Sequence, residues 1–448
     1  MLVQATTKFG LALTLLLSNA ALDAQTRDVQ TLDAQETKYV NFEDYFVDKA
    51  LRVELYNCGD AAASTVVLRD LYEEPIWPEN PRHLITPFDY GQFAIKLYDE
   101  ASGRLIYSKG FDTMFSEYVT TNPAIKGMNR VFESTTRCPM PKAKAKLLIE
   151  RRNREHTLLP VLTIEVDPTD YHIRRETVFQ SDATFELQNT GPAQDRVDIV
   201  FLAEGYTAGQ LEKFRSDVKR LSEFLLAASP YCEAKEKFNI RGVFRASIEA
   251  GTDEPRQMSF KSTALNSTYN IFDLDRYLLV EDNHAVHRMA AQLPHDVIVV
   301  VVNTDRYGGG GMVLDYCTVT ADNAHSKIVF VHEFGHTFGY LADEYIGSVS
   351  YNDMYPAGIE PLEPNITRET NRERLKWGDL LTPEVLVPTP QDAENAANLV
   401  GAFEGGGYVK QGIFRPQLRC WMGSLDPKQG LCVVCQAAVT RMINYYAD

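Results

Sequence analysis

The chain has 448 residues, 44% of them apolar and 24% charged, with a net charge of −16 at neutral pH. That length exceeds one ordinary core and points to two domains, and the composition is globular rather than disordered, collagenous or coiled-coil. The acidic balance argues against a nucleic-acid partner, because phosphate binding needs clustered Lys and Arg.

The first element is an apolar run, Phe9 to Leu17, behind Lys8 and ahead of the small residues Ser18, Ala20, Ala21 and Ala24. It is shorter than the roughly 20 residues that span a bilayer. It is therefore expected to be a signal peptide over 1–24, with Ala21 and Ala24 as candidate last residues. No cysteine follows either candidate cut, so no lipid anchor is expected. No other stretch is apolar enough for a membrane helix. The mature protein is expected to be exported and soluble, in the periplasm, at the cell surface or secreted.

Residues 36–170 read as an all-β sandwich domain. Leu51-Arg52-Val53-Glu54-Leu55 alternates apolar and charged residues, the period of a half-buried strand. Phe93–Tyr98 and Arg104–Tyr107 flank a turn and predict a hairpin, and Lys146–Glu150 with Pro160–Val166 predict another. The basic run Arg151-Arg152-Asn153-Arg154 is expected at a solvated turn. His83, His156 and His172 lie far apart and suggest no ligand cluster. Residues 168–193 read as a polar connection.

From residue 190 to 448 strands alternate with helices, the pattern of an α/β domain. Val197–Ala203 and Asp296–Val302 are buried-strand runs, and Phe238–Glu249 reads as a third strand. Thr207-Ala208-Gly209-Gln210 has the form of a capping box and predicts a helix to about Ala228. Tyr307-Gly308-Gly309-Gly310-Gly311-Met312 lacks the G-K-[ST] of a phosphate loop. It is either a flexible surface loop or a cleft rim whose backbone could pair with an extended peptide.

His332-Glu333-Phe334-Gly335-His336 is an H-E-x-x-H motif on a helix expected to begin near Asn323 or Ser326. Residues four apart share one helix face. Two imidazoles can thus grip one metal ion, and the glutamate between them can reach a water on that ion. Imidazole and carboxylate suit zinc. Glu333 is then the general base, taking a proton from the attacking water and passing it to the leaving amine. Gly339 is placed to end or bend this helix. Tyr307, Tyr316 and Tyr345 are candidate donors to the developing oxyanion.

Of seven cysteines, Cys58, Cys138, Cys232 and Cys317 are scattered, and Cys420, Cys432 and Cys435 cluster before a last helix over Val433–Tyr446. The C-x-x-C has no second C-x-x-C and no thioredoxin-like context. A structural disulfide, Cys420 with Cys432 or Cys435, or buried thiols are expected instead.

The signature resembles the metzincin pattern H-E-x-x-H-x-x-G-x-x-H/D. In that pattern the residue three beyond the glycine meets the metal. Here that residue is Ala342, which has no donor, and Asp343 follows. The resemblance implies Asp343 as third ligand, with Glu344 as the fallback. Met422, in Cys420-Trp421-Met422-Gly423, resembles the methionine turn beneath the metal in such enzymes. The longer stretch His332–Tyr345, preceded by V-D-I-V-F-L-A-E-G-Y-T at Val197–Thr207, looks like the bacterial immunoglobulin A peptidase family, metallopeptidase family 64, from about Asp195 onwards.

The resemblance implies an exported zinc metalloendopeptidase: an α/β metzincin-like catalytic domain behind an all-β sandwich. Its substrates would be proteins or glycoproteins, immunoglobulin A among them. The rivals are a glycan- or protein-binding exported protein with a non-proteolytic metal domain, and a zinc hydrolase of non-peptide amides. Glu333 speaks against the first and the glycine-rich segment leans against the second.

Overall fold

The computed structural model describes residues 39–175, 182–347, 354–393 and 395–448. The expected signal peptide lies outside the described residues, as do positions 36–38. The fold is mixed α/β with several sheets and a β-rich N-terminal region. No helix among the described residues is long and apolar enough to cross a membrane.

The N-terminal region holds β1 (Phe46–Gly59), β2 (Ser64–Glu74), β3 (Phe93–Asp99), β4 (Leu105–Phe111), β5 (Arg130–Pro141), β6 (Ala145–Arg152) and β7 (Leu158–Val166). They form two antiparallel sheets, ordered β2-β1-β5 and β4-β3-β6-β7. Leu51, Val53 and Leu55 of the first sheet share one hydrophobic cluster with Ile95, Leu97, Leu147 and Ile149 of the second. The basic run falls at the β6–β7 turn, but Arg152 is not solvated as expected. It is buried, and its guanidinium donates to the carbonyls of Gly91 and His156 at 2.8 and 2.7 Å.

The central sheet is built from β8 (Ala183–Gln188), β9 (Val197–Glu204), β10 (Phe238–Phe244), β13 (Val297–Val302), β14 (Gly309–Gly311) and β15 (Tyr316–Thr320), in the order β14-β15-β13-β9-β10-β8. Its four inner strands are parallel and both edges antiparallel. Two smaller pairs complete the strands: β11 (Ser267–Thr268) with β12 (Leu279–Val280), and β16 (Phe403–Gly406) with β17 (Val409–Arg415). β8 lies in the segment expected to be a polar connection. Thr184-Phe185-Glu186-Leu187-Gln188 does alternate polar and apolar residues, but the strand is a short, largely exposed sheet edge set in a polar stretch.

Parallel strands covered on both faces read as continuous apolar runs, which is why Val197–Ala203 and Val297–Val302 stand out. Ile199, Phe201 and Ala203 of β9, with Val299 and Val301 of β13, join the cluster formed with the longer helices α1 (Leu211–Leu225), α3 (Ser326–Gly339) and α4 (Val433–Ala447). Val200, Leu202, Ile298, Val300 and Val302 belong to the cluster shared with the N-terminal sheets and with α2 (Asn283–Ala290). The entry to α1 carries the expected capping box, in which the Gln210 side chain accepts from the Thr207 N–H at 2.8 Å.

The charged face of β1, expected at the solvent, is buried as well. Arg52 and Glu54 are 3% and 0% exposed. They pair with Glu74 at 2.8 Å and Arg69 at 3.1 Å. Helix α2 covers them, with Arg288 Nε 3.7 Å from Glu54. His284 Nε2 lies 3.1 Å from the carbonyl of Leu55 and 3.2 Å from that of Ser134.

Candidate metal centre

Helix α3 begins at Ser326 and carries Phe330, Phe334 and Phe338 into the core. Those positions, four apart, make the face that anchors the helix. The adjoining face turns His332, Glu333 and His336 towards a cleft of about 310 Å³. The helix ends at Gly339, as expected, but the glycine is not the residue that turns left-handed. The left-handed residue is Tyr340 (φ 54°, ψ 34°), whose ring stacks on Tyr90 at 4.2 Å between centroids. Gly339 serves close packing instead, since a Cβ there would lie 3.0 Å from Val439 on α4. The turn at Tyr340 sends the chain back past the histidines and delivers Asp343.

Nε2 of His332 and Nε2 of His336 are 3.1 Å apart, and Oδ1 of Asp343 lies 3.1 and 3.4 Å from them. An ion held at about 2.0–2.1 Å from each tetrahedral ligand sets such edges at about 3.4 Å. The other ring nitrogens are committed: His332 Nδ1 donates to the carbonyl of Trp421 at 2.8 Å, and His336 Nδ1 to that of Leu341 at 2.5 Å. Those bonds fix the tautomers and aim both Nε2 lone pairs at one point. Asp343 Oδ2 accepts from Tyr408 Oη at 2.7 Å, whereas the buried Oδ1 accepts no hydrogen bond. A buried acceptor left so is costly unless a cation faces it. The two imidazoles are 12% and 13% exposed, so the group opens towards the cleft.

Burial works against a charged Asp343, but the imidazoles of His336 and His332 outweigh it and hold the carboxyl far below its ordinary range. Burial would depress His336, yet Asp343 beside it pushes that imidazole up to about 9. Burial raises Glu333, against the pull of the same histidines.

Strand β14 explains the glycine run. It is the sheet edge beside α3, not a loose loop. A Cβ on Gly311 would sit 2.7 Å from the Glu333 carbonyl, and one on Gly309 would sit 3.2 Å from Oε1 of Glu333. The strand approaches the Glu333 side chain because it has no side chains of its own. The outer edge is partly taken, since Leu278 N–H donates to Gly309 O at 3.3 Å.

Of the candidate tyrosines, Tyr307 and Tyr345 line the cleft, and Arg276 donates to Tyr345 Oη at 3.2 Å. Tyr316 does not belong to the site: it is buried, with its hydroxyl donating to Val280 O at 2.5 Å. Met422 is buried under α3, its Sδ 2.9 Å from where a Cβ on Gly335 would stand. Nothing in the sequence pointed to Tyr408, Arg276 or Glu117. Each reaches the cleft from a distant part of the chain, with no spacing to mark it. Glu117 comes from the N-terminal region and accepts from Tyr277 Oη at 2.7 Å.

The fallback ligand Glu344 faces away from the histidines. Its carboxylate lies in a second group of candidate ligands with Cys420, Cys432 and Cys435. No disulfide joins these cysteines: all seven of the chain are free.

No curated protein matches the chain. A family profile described as IgA Peptidase M64 matches residues 185–398 and 391–443, and one described as Peptidase M64 N-terminus matches residues 41–163. Together they take in both the N-terminal sheets and the histidine cluster, and the chain therefore belongs to the IgA peptidase M64 family.

Proposed function

We propose that this peptidase is an exported, zinc-dependent endopeptidase with a metzincin-like catalytic domain over 190–448, a β-sandwich domain over 36–170 ahead of it, and a protein or glycoprotein substrate. One observation carries it: two Nε2 atoms and an orphaned carboxylate oxygen lie within 3.4 Å of one another at a place open to the cleft. Two imidazoles and a carboxylate suit zinc, and three protein ligands with an open position are the catalytic form of that site. His332, His336 and Asp343 would hold the metal, with Met422 as the floor beneath it. Bound there, the ion would lower the pKa of a water towards about 7 and polarise the scissile carbonyl.

The chain's own groups do the rest. Glu333 takes the proton of the attacking water on a carboxylate oxygen and hands it to the leaving amine. Burial raises its affinity for a proton, which favours uptake of the water's proton. Tyr307 and Tyr345 stand at the cleft as donors to the oxyanion, and Arg276 orients Tyr345. Gly309, Gly311 and Val313 line the cleft beside Glu333, and a peptide substrate lies along this backbone. Export rests on the apolar run behind Lys8, and immunoglobulin A is the first substrate to try.

The test is hydrolysis of casein and immunoglobulin A by wild type and Glu333→Ala, with and without chelator. Wild type is expected to cleave and to stop with chelator. Glu333→Ala is expected to keep its metal while losing roughly 100- to 10,000-fold in rate. Bound zinc in both proteins with cleavage by neither would overturn the proposal and favour a binding role.

A further inference from the structure

Behind the histidine cluster lies a second constellation that peptide hydrolysis does not use. Sγ of Cys420, Cys432 and Cys435 and one carboxylate oxygen of Glu344 all lie within 4.8 Å of one another, and all four residues are buried. Their contacts have the dimensions of a coordination shell. Cys420 Sγ and Cys435 Sγ are 3.8 Å apart, and Glu344 Oε1 is 3.1 Å from Cys435 Sγ and 3.8 Å from Cys432 Sγ. Bonds of about 2.3 Å to sulfur and about 2.0 Å to oxygen give tetrahedral edges of about 3.8 Å between sulfurs and about 3.5 Å between sulfur and oxygen. A disulfide would bring one sulfur pair to about 2.05 Å and leave the third thiol and the carboxylate without a role.

The surroundings suit thiolates. The N–H groups of Met422 and Cys432 donate to Cys420 Sγ at 3.4 and 3.2 Å, and that of Cys435 donates to Cys432 Sγ at 3.5 Å. Asn365 Nδ2 donates to Glu344 Oε1 at 3.0 Å. Oε2 of Glu344, with the residue 0% exposed, has no hydrogen-bond partner. A buried carboxylate with an unpartnered oxygen is costly unless a cation faces it, and the three sulfurs beside it are the ligands such a cation would take.

We infer that Glu344, Cys420, Cys432 and Cys435 form a second, structural metal site that takes zinc in a closed four-ligand shell. Soft sulfur ligands select zinc over calcium or magnesium, and the absence of an open position separates this site from the catalytic form. Its position gives it a task. Glu344 follows Asp343, Cys420 precedes the Trp421 carbonyl that holds His332, and Cys432 and Cys435 start α4. One ion there pins the chain carrying the third catalytic ligand to the turn beneath the first.

The experiment is metal analysis of the purified full-length protein, followed by cobalt substitution. Wild type should hold two metal equivalents per chain, and the cobalt form should show sulfur-to-cobalt charge-transfer absorption. His336→Ala should lose one equivalent and keep that absorption, and Cys435→Ser should lose the absorption. If Cys435→Ser does not fold, the wild-type and His336→Ala spectra decide. A single equivalent with no thiolate absorption in wild type, or two of the clustered cysteines titrating as a disulfide, would overturn the inference. Proteolysis enters none of these readouts, so failure of the peptidase proposal would leave the sulfur site standing, and the reverse holds equally.

Discussion

Asp343 has two oxygens with different partners, and the difference predicts how the site fails. Oδ2 is held by the hydroxyl of Tyr408, and Oδ1 faces both imidazoles. Asp343→Ala removes the donor itself and should empty the histidine site. Tyr408→Phe keeps the donor but frees its orientation. Loss of such an outer partner typically costs 10- to 100-fold in metal affinity. Competition with a chelator measures both, and wild-type affinity in Tyr408→Phe would mean that Asp343 is positioned by its backbone alone. The two histidines and Glu333 were legible because a four-residue period on one helix is a local property. The adjacent acids at 343 and 344 were not separable, because which way each side chain turns depends on Asn365, Tyr408 and the distant cysteines. The three cysteines left a disulfide and buried thiols both open, and the structure shows buried thiols. Only the fold brings a carboxylate beside them.

At the scale of elements, the site is a strand laid against a helix. Strand β14 stands so close to α3 that a methyl group on Gly311 would meet the Glu333 carbonyl at 2.7 Å and the Cβ of His336 at 3.1 Å. The helix backbone cannot step aside as a flexible side chain would, so β14 must move. Gly311→Ala is expected to cost about 1–3 kcal/mol of stability by overpacking. A displacement near 1 Å at the reacting groups lowers kcat on the order of 100-fold. Steady-state kinetics with metal content measured in parallel check this. Full activity would show that the strand yields without disturbing Glu333. The glycine run was visible in the sequence but its meaning was not, because a loop and an edge strand of bare backbone share the same composition. The end of α3 teaches the converse. Gly339 looked like the terminator by type, yet Tyr340 takes the left-handed turn, supported by its stack on Tyr90. A tertiary contact there overrides the local preference of glycine.

For the whole molecule, the decisive feature is how the N-terminal sheets meet the central sheet. The alternation within β9 and β13 sends half of their side chains towards α1, α3 and α4 and the other half into a cluster shared with the N-terminal strands. Strands of both regions were legible in the sequence, since each region has its own periodicity. Their union was not, because the joining surface includes the charged face of β1 and the helix α2, neither of which looks like core. His284 of α2 is 0% exposed between the carbonyls of Leu55 and Ser134, and Arg137 donates to His295 O at 2.8 Å. Separable domains usually meet through modest, polar interfaces. Here apolar residues of α2, Val286, Met289 and Ala290, and a buried ion-pair layer lie at the junction. A chain of residues 183–448 alone would leave the apolar face of α2 in water and take from Arg288 and His284 their partners, Glu54 and the carbonyls of Leu55 and Ser134. It is expected to aggregate or to lack a cooperative melt, whereas the full chain should melt as one unit. Scanning calorimetry of both chains, with gel filtration of the shorter one, checks this. A soluble, cooperatively melting and proteolytic 183–448 fragment would show that the junction is dispensable and that Glu117 is not needed at the cleft.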